Sequence, residues 1–442
     1  MTTLNDNLFG QTYDRLQTQV FGGTAANFQM LGTPILYNFG TAGAGQMDPS
    51  TYQIVSQMPV WSPVGAFSQD GTTLFSAYRQ LLQHVTFKVS DAKAADLARQ
   101  KSQISDQQRK LNQAYDDMTQ AYNVQTANGG AVFQAQYPTL KDWLAGPGKA
   151  YSGTAQALID ALNTLNNKYA QDLANIAGGD SSLNNALTAI QTPSGTPATG
   201  VAPAGWIAVA DSGGTLRWQP EFVLNKDPSQ VRQDLTRGSV GSFTVNLSAS
   251  KSSASMQKSW AEGSASRDVL FFSINAGGSW EKLDIDNDDT SISVDISVQS
   301  SMLVPVSPGV WYDGGFLKNL AQNTSTGGYQ LSDGWTATGS GDNTAFGMNG
   351  LVSTNVASLI LVYKPKVTVT MSQQTYQRNY EKIQASGGIS IGPFSFGGSG
   401  GTEKDFTVKT NGSTSFTVES TSSDPQIIGA GVGFPGVGSP AA

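Results

Sequence analysis

The chain contains no cysteine and only one histidine, His84. Disulfides, thiolate metal centres and cysteine nucleophiles are thereby excluded. A site built from several histidines cannot form within one chain. Charge is also scarce. Charged residues make up 13% of the 442, about half the usual share. There are 26 Lys and Arg against 33 Asp and Glu, a net charge of −7. No basic cluster of the kind that nucleic-acid binding requires is present. Long apolar runs are missing. The strongest, Leu359-Ile-Leu-Val-Tyr363, falls far short of the roughly 20 residues of a membrane-spanning helix. The start, Met1-Thr-Thr-Leu-Asn-Asp-Asn, has neither the basic nor the apolar segment of a secretory signal. The expectation is a protein soluble as synthesised, either released from the cell or cytoplasmic.

In place of charge the chain has Ser, Thr, Asn, Gln and Gly, with hydrophobic residues at 38%. In the first half these fall at helical spacing. Leu8, Tyr13, Leu16 and Val20 lie near one face of a segment from Asn7 to Phe21, which Gly22-Gly23 would end. Asp48-Pro49 reads as an N-cap followed by proline at the first helical position. A further helix is expected from Thr72 to Phe87. The strongest pattern runs from Ser90 to Asn128, where Leu97, Ile104, Leu111 and Met118 recur every seven residues before Gly129-Gly130. Its counterpart runs from Tyr151 to Ala177. There Ala155, Leu158, Leu162, Leu165, Tyr169, Leu173 and Ile176 follow spacings of three and four that alternate with little deviation, as in a coiled-coil seam. Between the two, Thr139 caps a short helix carrying Trp143. The reading is an antiparallel helical pair with an internal seam, inside a helical domain of residues 1–191.

Residues 192–204, Pro-, Gly- and Thr-rich, read as a linker. Residues 205–442 read as β-rich, because apolar and polar residues alternate with the period of strands that bury one face. Residues 243–311 and 365–433 look like two copies of one unit. With Phe272 placed on Phe394, Val245 falls on Val367, Glu281 on Glu403, Lys282 on Lys404, and Val294 and Ile296 on Phe416 and Val418. Leu359–Tyr363 lacks alternation, so burial on both faces is expected there.

Several formal motifs fail on context. Gly397-Gly-Ser399-Gly-Gly401 sits in a glycine-rich hairpin with no helix after it. Gly431, Gly433 and Gly436 fit a dinucleotide fingerprint but lack a βαβ unit. His84, late in its helix, has no nucleophile elbow beside it. Asp284, Asp286 and Asp288 alternate and form a weak candidate for a hard cation, but their flanks are strands rather than the helices of an EF-hand. The tryptophans of the β half, Trp206, Trp218, Trp260, Trp280, Trp311 and Trp335, serve either as core or as platforms for sugars.

The fold class expected is α+β, in two parts: a helical region with a long antiparallel pair, then an all-β region with a duplicated antiparallel sheet unit. No catalytic constellation and no cofactor site is visible, so the protein reads as a non-enzyme. Ser/Thr-rich strands of low charge can close into a membrane barrel, and in texture they are similar to those of β-pore-forming toxins, without a diagnostic motif. On that reading the protein is membrane-active and homo-oligomeric, with membrane lipid or a surface receptor as partner and no nucleic acid. The inserting hairpins would carry Ile389, Ile391, Phe394 and Phe396 in one copy, and Val269, Phe271, Phe272 and Ile274 in the other. The alternatives are a self-assembling structural or adhesive protein and a carbohydrate-binding module.

Overall fold

The computed structural model describes residues 4–21, 27–31, 37–39, 47–62, 65–87, 91–176, 181–193, 197, 202–210, 215–251, 253, 271–276, 279–286, 289–322, 329–339, 341–397 and 405–436. Its helices follow local signals. α1 spans Leu4–Phe21. α2 (Pro49–Ser56) is capped by Asp48, whose carboxylate accepts from the N–H groups of Ser50 and Thr51. α3 (Leu74–Gln83) is capped by Thr73 and ends at His84. The chain then becomes a strand at Val85–Phe87, so the helix expected to reach Phe87 stops earlier, where a β-branched and aromatic run favours extension.

α4 (Asp91–Gln136) and α6 (Lys149–Ile176) form the long pair, with α5 (Leu140–Ala145) between them. Gly130 breaks α4 with φ 54° and ψ −146°, a conformation open to glycine and strained for other residues. α7 (Ser181–Ala189) packs on α6. α8 (Pro228–Arg237), α9 (Gly314–Ala321) and α10 (Gln373–Ala385) belong to the β-rich part.

Among the described residues, ten strands make the main sheet. Along it run β10 (Phe243–Ser248), β13 (Ser293–Pro308), β15 (Asn355–Thr370), β20 (Gln426–Gly433), β1 (Phe28–Leu31) and β4 (Ala66–Phe67). β19 (Ser415–Ser420) joins β15 to β18 (Phe406–Asn411), while β2 (Tyr37–Asn38) pairs with β20 and β9 (Phe222–Leu224) with β13. A second sheet has the order β12 (Ser279–Lys282), β11 (Phe272–Ala276), β16 (Gly388–Ile391), β17 (Phe394–Gly397). Among the described residues there are also three two-stranded pairs: β6 (Val85–Phe87) with β14 (Tyr329–Leu331), β3 (Gln57–Pro59) with β5 (Gln69–Thr73), and β7 (Trp206–Ala210) with β8 (Leu216–Pro220). The fold is α+β, and most strand pairings are antiparallel.

The duplication has a structural counterpart. β10 pairs with β13 so that Val245 faces Ile296 and Leu247 faces Val294. β15 pairs with β19 so that Val367 faces Val418 and Val369 faces Phe416. Each partner of the second pair lies 122 residues after its equivalent in the first (367 − 245 and 418 − 296). A cross-strand polar pair is kept in place too: Asn246 donates to Asp295, and at the same offset Thr368 meets Thr417 at 2.9 Å. The two units lie side by side because β13 pairs with β15 along most of its length.

Two hydrophobic cores flank these central strands. Leu359 and Leu361 of β15 belong to one, with α2, α3, α7, α8, α9 and the base of the helical pair. Ile360 and Val362 belong to the other, with α1 and the second sheet. The run Leu359–Val362 is therefore buried on both faces, as its lack of alternation implies. The linker at 192–204 does not separate these cores. β1, β2 and β4 lie in the N-terminal region yet extend the C-terminal sheet, and α1 packs on the repeat. Glycines in β20 permit that approach: a Cβ at Gly429 would stand 2.6 Å from the carbonyl oxygen of Gln29.

Candidate interaction surfaces

The second sheet holds the segments that the sequence singles out for membrane insertion. β16 sits between β11 and β17, with Ile391 opposite Phe272 on one side and Phe394 on the other, and Ile389 opposite Ile274 and Phe396. Phe271, Phe272, Ile274, Ile389, Ile391, Phe394 and Phe396 are all 0–2% exposed. The turn between β16 and β17 is also inside, where the N–H of Gly392 donates to the Phe271 carbonyl at 2.7 Å. Some polar residues here bond internally: Ser390 and Ser395 meet at 3.1 Å, and Gln426 donates to the Ser395 carbonyl at 2.7 Å, while the Ser273 hydroxyl is buried without a partner among the described residues. These side chains are core in this structure, and the turn at Gly392 is covered with them. Val269 lies outside the described residues.

The acidic turn faces a cation of the protein itself. Arg378 of α10 forms a two-pronged contact with Asp286 and reaches Asp284 at 3.9 Å. Asp284 and Asp286, the weak candidates for a hard cation, thus face an arginine, and Asp288 lies outside the described residues. Among the described residues no cluster of three or more His, Cys, Asp or Glu is arranged to hold a metal. Nearby Asp289 caps the turn. Burial alone would raise its carboxyl pKa, but hydrogen bonds from the Ser291 and Thr375 hydroxyls and the Ser291 N–H outweigh this and hold it below the usual carboxylate range.

The helical pair closes on the expected seam. Ile104, Leu111 and Met118 of α4 are buried against Ala155, Leu162 and Tyr169 of α6, with Leu97, Leu158 and Leu165 half-buried beside them. The side chains of Leu173 and Ile176 lie outside the described set. Gln100 crosses the seam and donates to Asp172 at 2.6 Å and to Asp96 at 3.0 Å. The distal end is folded. Thr139 and Asp142 make a capping box for α5, and Trp143 is buried with ring contacts to Tyr122 at 6.0 Å and Tyr151 at 5.3 Å. Phe133 and Tyr137 extend this cluster. Between Gln113 and Asp160, the hydrogen bonds and ring contacts of the described residues stay within α4, α5, α6 and their connections. This arm nevertheless carries Tyr115, Val124, Val132 and Tyr151 as exposed large hydrophobics, Val132 at 79%.

His84 sits at the C-cap of α3, and its ring stacks on Trp335 at 4.0 Å. Burial and the nearby Lys101 both push its pKa below the ordinary histidine value. Trp311 is fully buried, with its indole donating to the Glu221 carbonyl at 2.6 Å, and Trp206 is buried beside Phe75. Neither offers a platform to a sugar. Trp260 is outside the described residues.

Among the described residues no helix is long and apolar enough to cross a membrane. No known protein family, no curated protein and no solved structure matches this chain.

Proposed function

We propose that the protein is a non-enzymatic, self-associating structural or adhesive protein, with a static β body and a helical arm that makes the contact. The observation that carries this reading is the arm: its distal half leaves apolar side chains exposed around a folded aromatic end. A rigid tip with aromatic anchors suits recognition, because such side chains contribute much contact area for little ordering entropy.

Membrane insertion of the second sheet is the competing reading. It requires Ile389, Ile391, Phe394 and Phe396 to leave the core. Each buried side chain of this size is worth about 1.5–3 kcal/mol, so extraction costs roughly 6–12 kcal/mol in total. That is comparable to the whole stability of a typical domain, about 5–15 kcal/mol. The assembly reading needs no such rearrangement.

Sedimentation of the purified chain, alone and as the double variant Val132→Asp/Tyr151→Asp, tests the proposal. A native chain that sediments as an oligomer, and a variant that sediments as a folded monomer, support it. A monomeric native chain at tens of micromolar would sink it. Dye release from liposomes by the native chain would move the assignment to the membrane reading.

A further inference from the structure

α3 and the base of the helical pair enclose a cleft of about 800 Å3, within the size range of small-molecule sites. Its charged lining is of one sign. Arg79 and His84 come from α3 and its cap, Lys101 and Arg109 from α4, and among the described residues no carboxylate lines the wall. In a chain of net charge −7 this is a local inversion. Arg109 is answered by Asp106, on its own helix and outside the cleft lining, at 2.5 Å. Arg79 and Lys101 make no hydrogen bond or ion pair among the described residues. Elsewhere Arg99, Arg232 and Arg378 each meet a carboxylate.

The surroundings make that isolation costly. Arg79 also lines a second, smaller pocket with Tyr169 and Leu187. Burial pulls the pKa of both Arg79 and Lys101 below their ordinary values. A guanidinium does not give up its proton in proteins, and a half-buried charge without a counter-charge destabilises the fold. A bound anion removes that penalty. The two cations come from different helices, so they approach a ligand from two directions, which suits a tetrahedral group with several oxygens. The rest of the wall is hydrogen-bonding and uncharged. Ser105, Gln108, Asn112 and Asn166 provide amide and hydroxyl groups, and Ile104 and Leu162 supply apolar contact.

We propose that this cleft binds a phosphorylated or sulfated sugar, with Arg79 and Lys101 holding the oxyanion and the amide side chains holding hydroxyl groups. This stands independently of the assembly reading, because the cleft lies at the base of the arm and the exposed apolar side chains lie on its distal half.

The test is thermal denaturation and calorimetric titration of the full chain with inorganic phosphate, inorganic sulfate, glucose 6-phosphate and glucose. Sodium chloride at matched ionic strength is the control. The expected result is saturable binding of glucose 6-phosphate, tighter than that of inorganic phosphate, and none of glucose. Arg79→Gln is expected to weaken the sugar phosphate by about tenfold or more, and Lys101→Gln, which removes a point charge rather than a two-pronged donor, to weaken it less. A folded Arg79→Gln chain is also expected to melt no lower than the native chain in anion-free buffer, since it loses an unpaired charge. Absence of saturable oxyanion binding would overturn the proposal. So would equal binding by both variants, which marks a general salt effect. Binding of inorganic phosphate with no gain from the sugar would overturn the assignment of a hydroxyl-rich ligand.

Discussion

The side-chain amide of Gln11 pairs with Ser248 as another strand would, accepting from its N–H at 3.2 Å and donating to its carbonyl at 2.9 Å. Ser248 ends β10, the edge of the main sheet, and Gln19 adds a bond to the Thr244 carbonyl at 3.0 Å. α1 thus occupies hydrogen-bonding positions of an edge strand that would otherwise be open to another chain. Gln11→Ala leaves these groups unpaired. The expected loss is about 1–3 kcal/mol, read as a lower melting temperature, with light scattering that grows with protein concentration. An unchanged melting curve together with clear solutions would show that the cap is dispensable.

Ile391 and Phe396 are core residues, and carboxylates placed there are expected to prevent folding. A buried unpaired charge costs several kcal/mol on top of the lost apolar contacts. Ile391→Asp and Phe396→Asp should therefore accumulate as insoluble protein. Soluble variants with native circular dichroism would instead mean that the β16–β17 hairpin can leave its place cheaply.

Asp289 supplies a pH signature. Its folded pKa is held below the ordinary carboxylate value of 3.8, so the stabilisation it adds is complete above that value and fades as pH falls through the folded one. Asp289→Asn should melt below the native chain by a constant margin above about pH 5, with the gap closing below about pH 4. In a partly solvated turn the margin is expected to be about 1 kcal/mol. A gap that widens on acidification would contradict the hydrogen-bond account.

Gly429 allows β1 to lie against β20. Gly429→Val places a branched side chain where a Cβ already meets Gln29 O at 2.6 Å and Phe28 at 2.7 Å. The expected outcome is a loss of about 3 kcal/mol or more and faster proteolysis within residues 27–67. Native resistance to protease would show that the strands can shift to make room.

The features that were legible in the sequence are local ones. Asp48-Pro49 and Thr139 act within a turn, and the seam from Leu97 to Met118 depends on the helical period alone. The 122-residue repeat could also be read, because its two registers follow from the same alternation of buried and polar residues. The second sheet was harder to place. Ser390 and Ser395 resemble a wet face until they are seen to bond each other, since a satisfied hydroxyl can be buried at little cost. The pairing of Gln11 with Ser248 and the cleft joining Arg79 to Lys101 carry no periodic signal. Each depends on elements that meet only after folding.

β13 and β15 serve both hydrophobic cores, with Val294 and Ile296 in one and Val304 and Val306 in the other. A chain severed between residues 192 and 204 therefore has no half that keeps a complete interior. The N-terminal piece would lose the strands that cover its helices, and the C-terminal piece would lose α1, β1 and β4. The two fragments should behave as a complementing pair: each incompletely folded alone, native when mixed, and held together without a peptide bond.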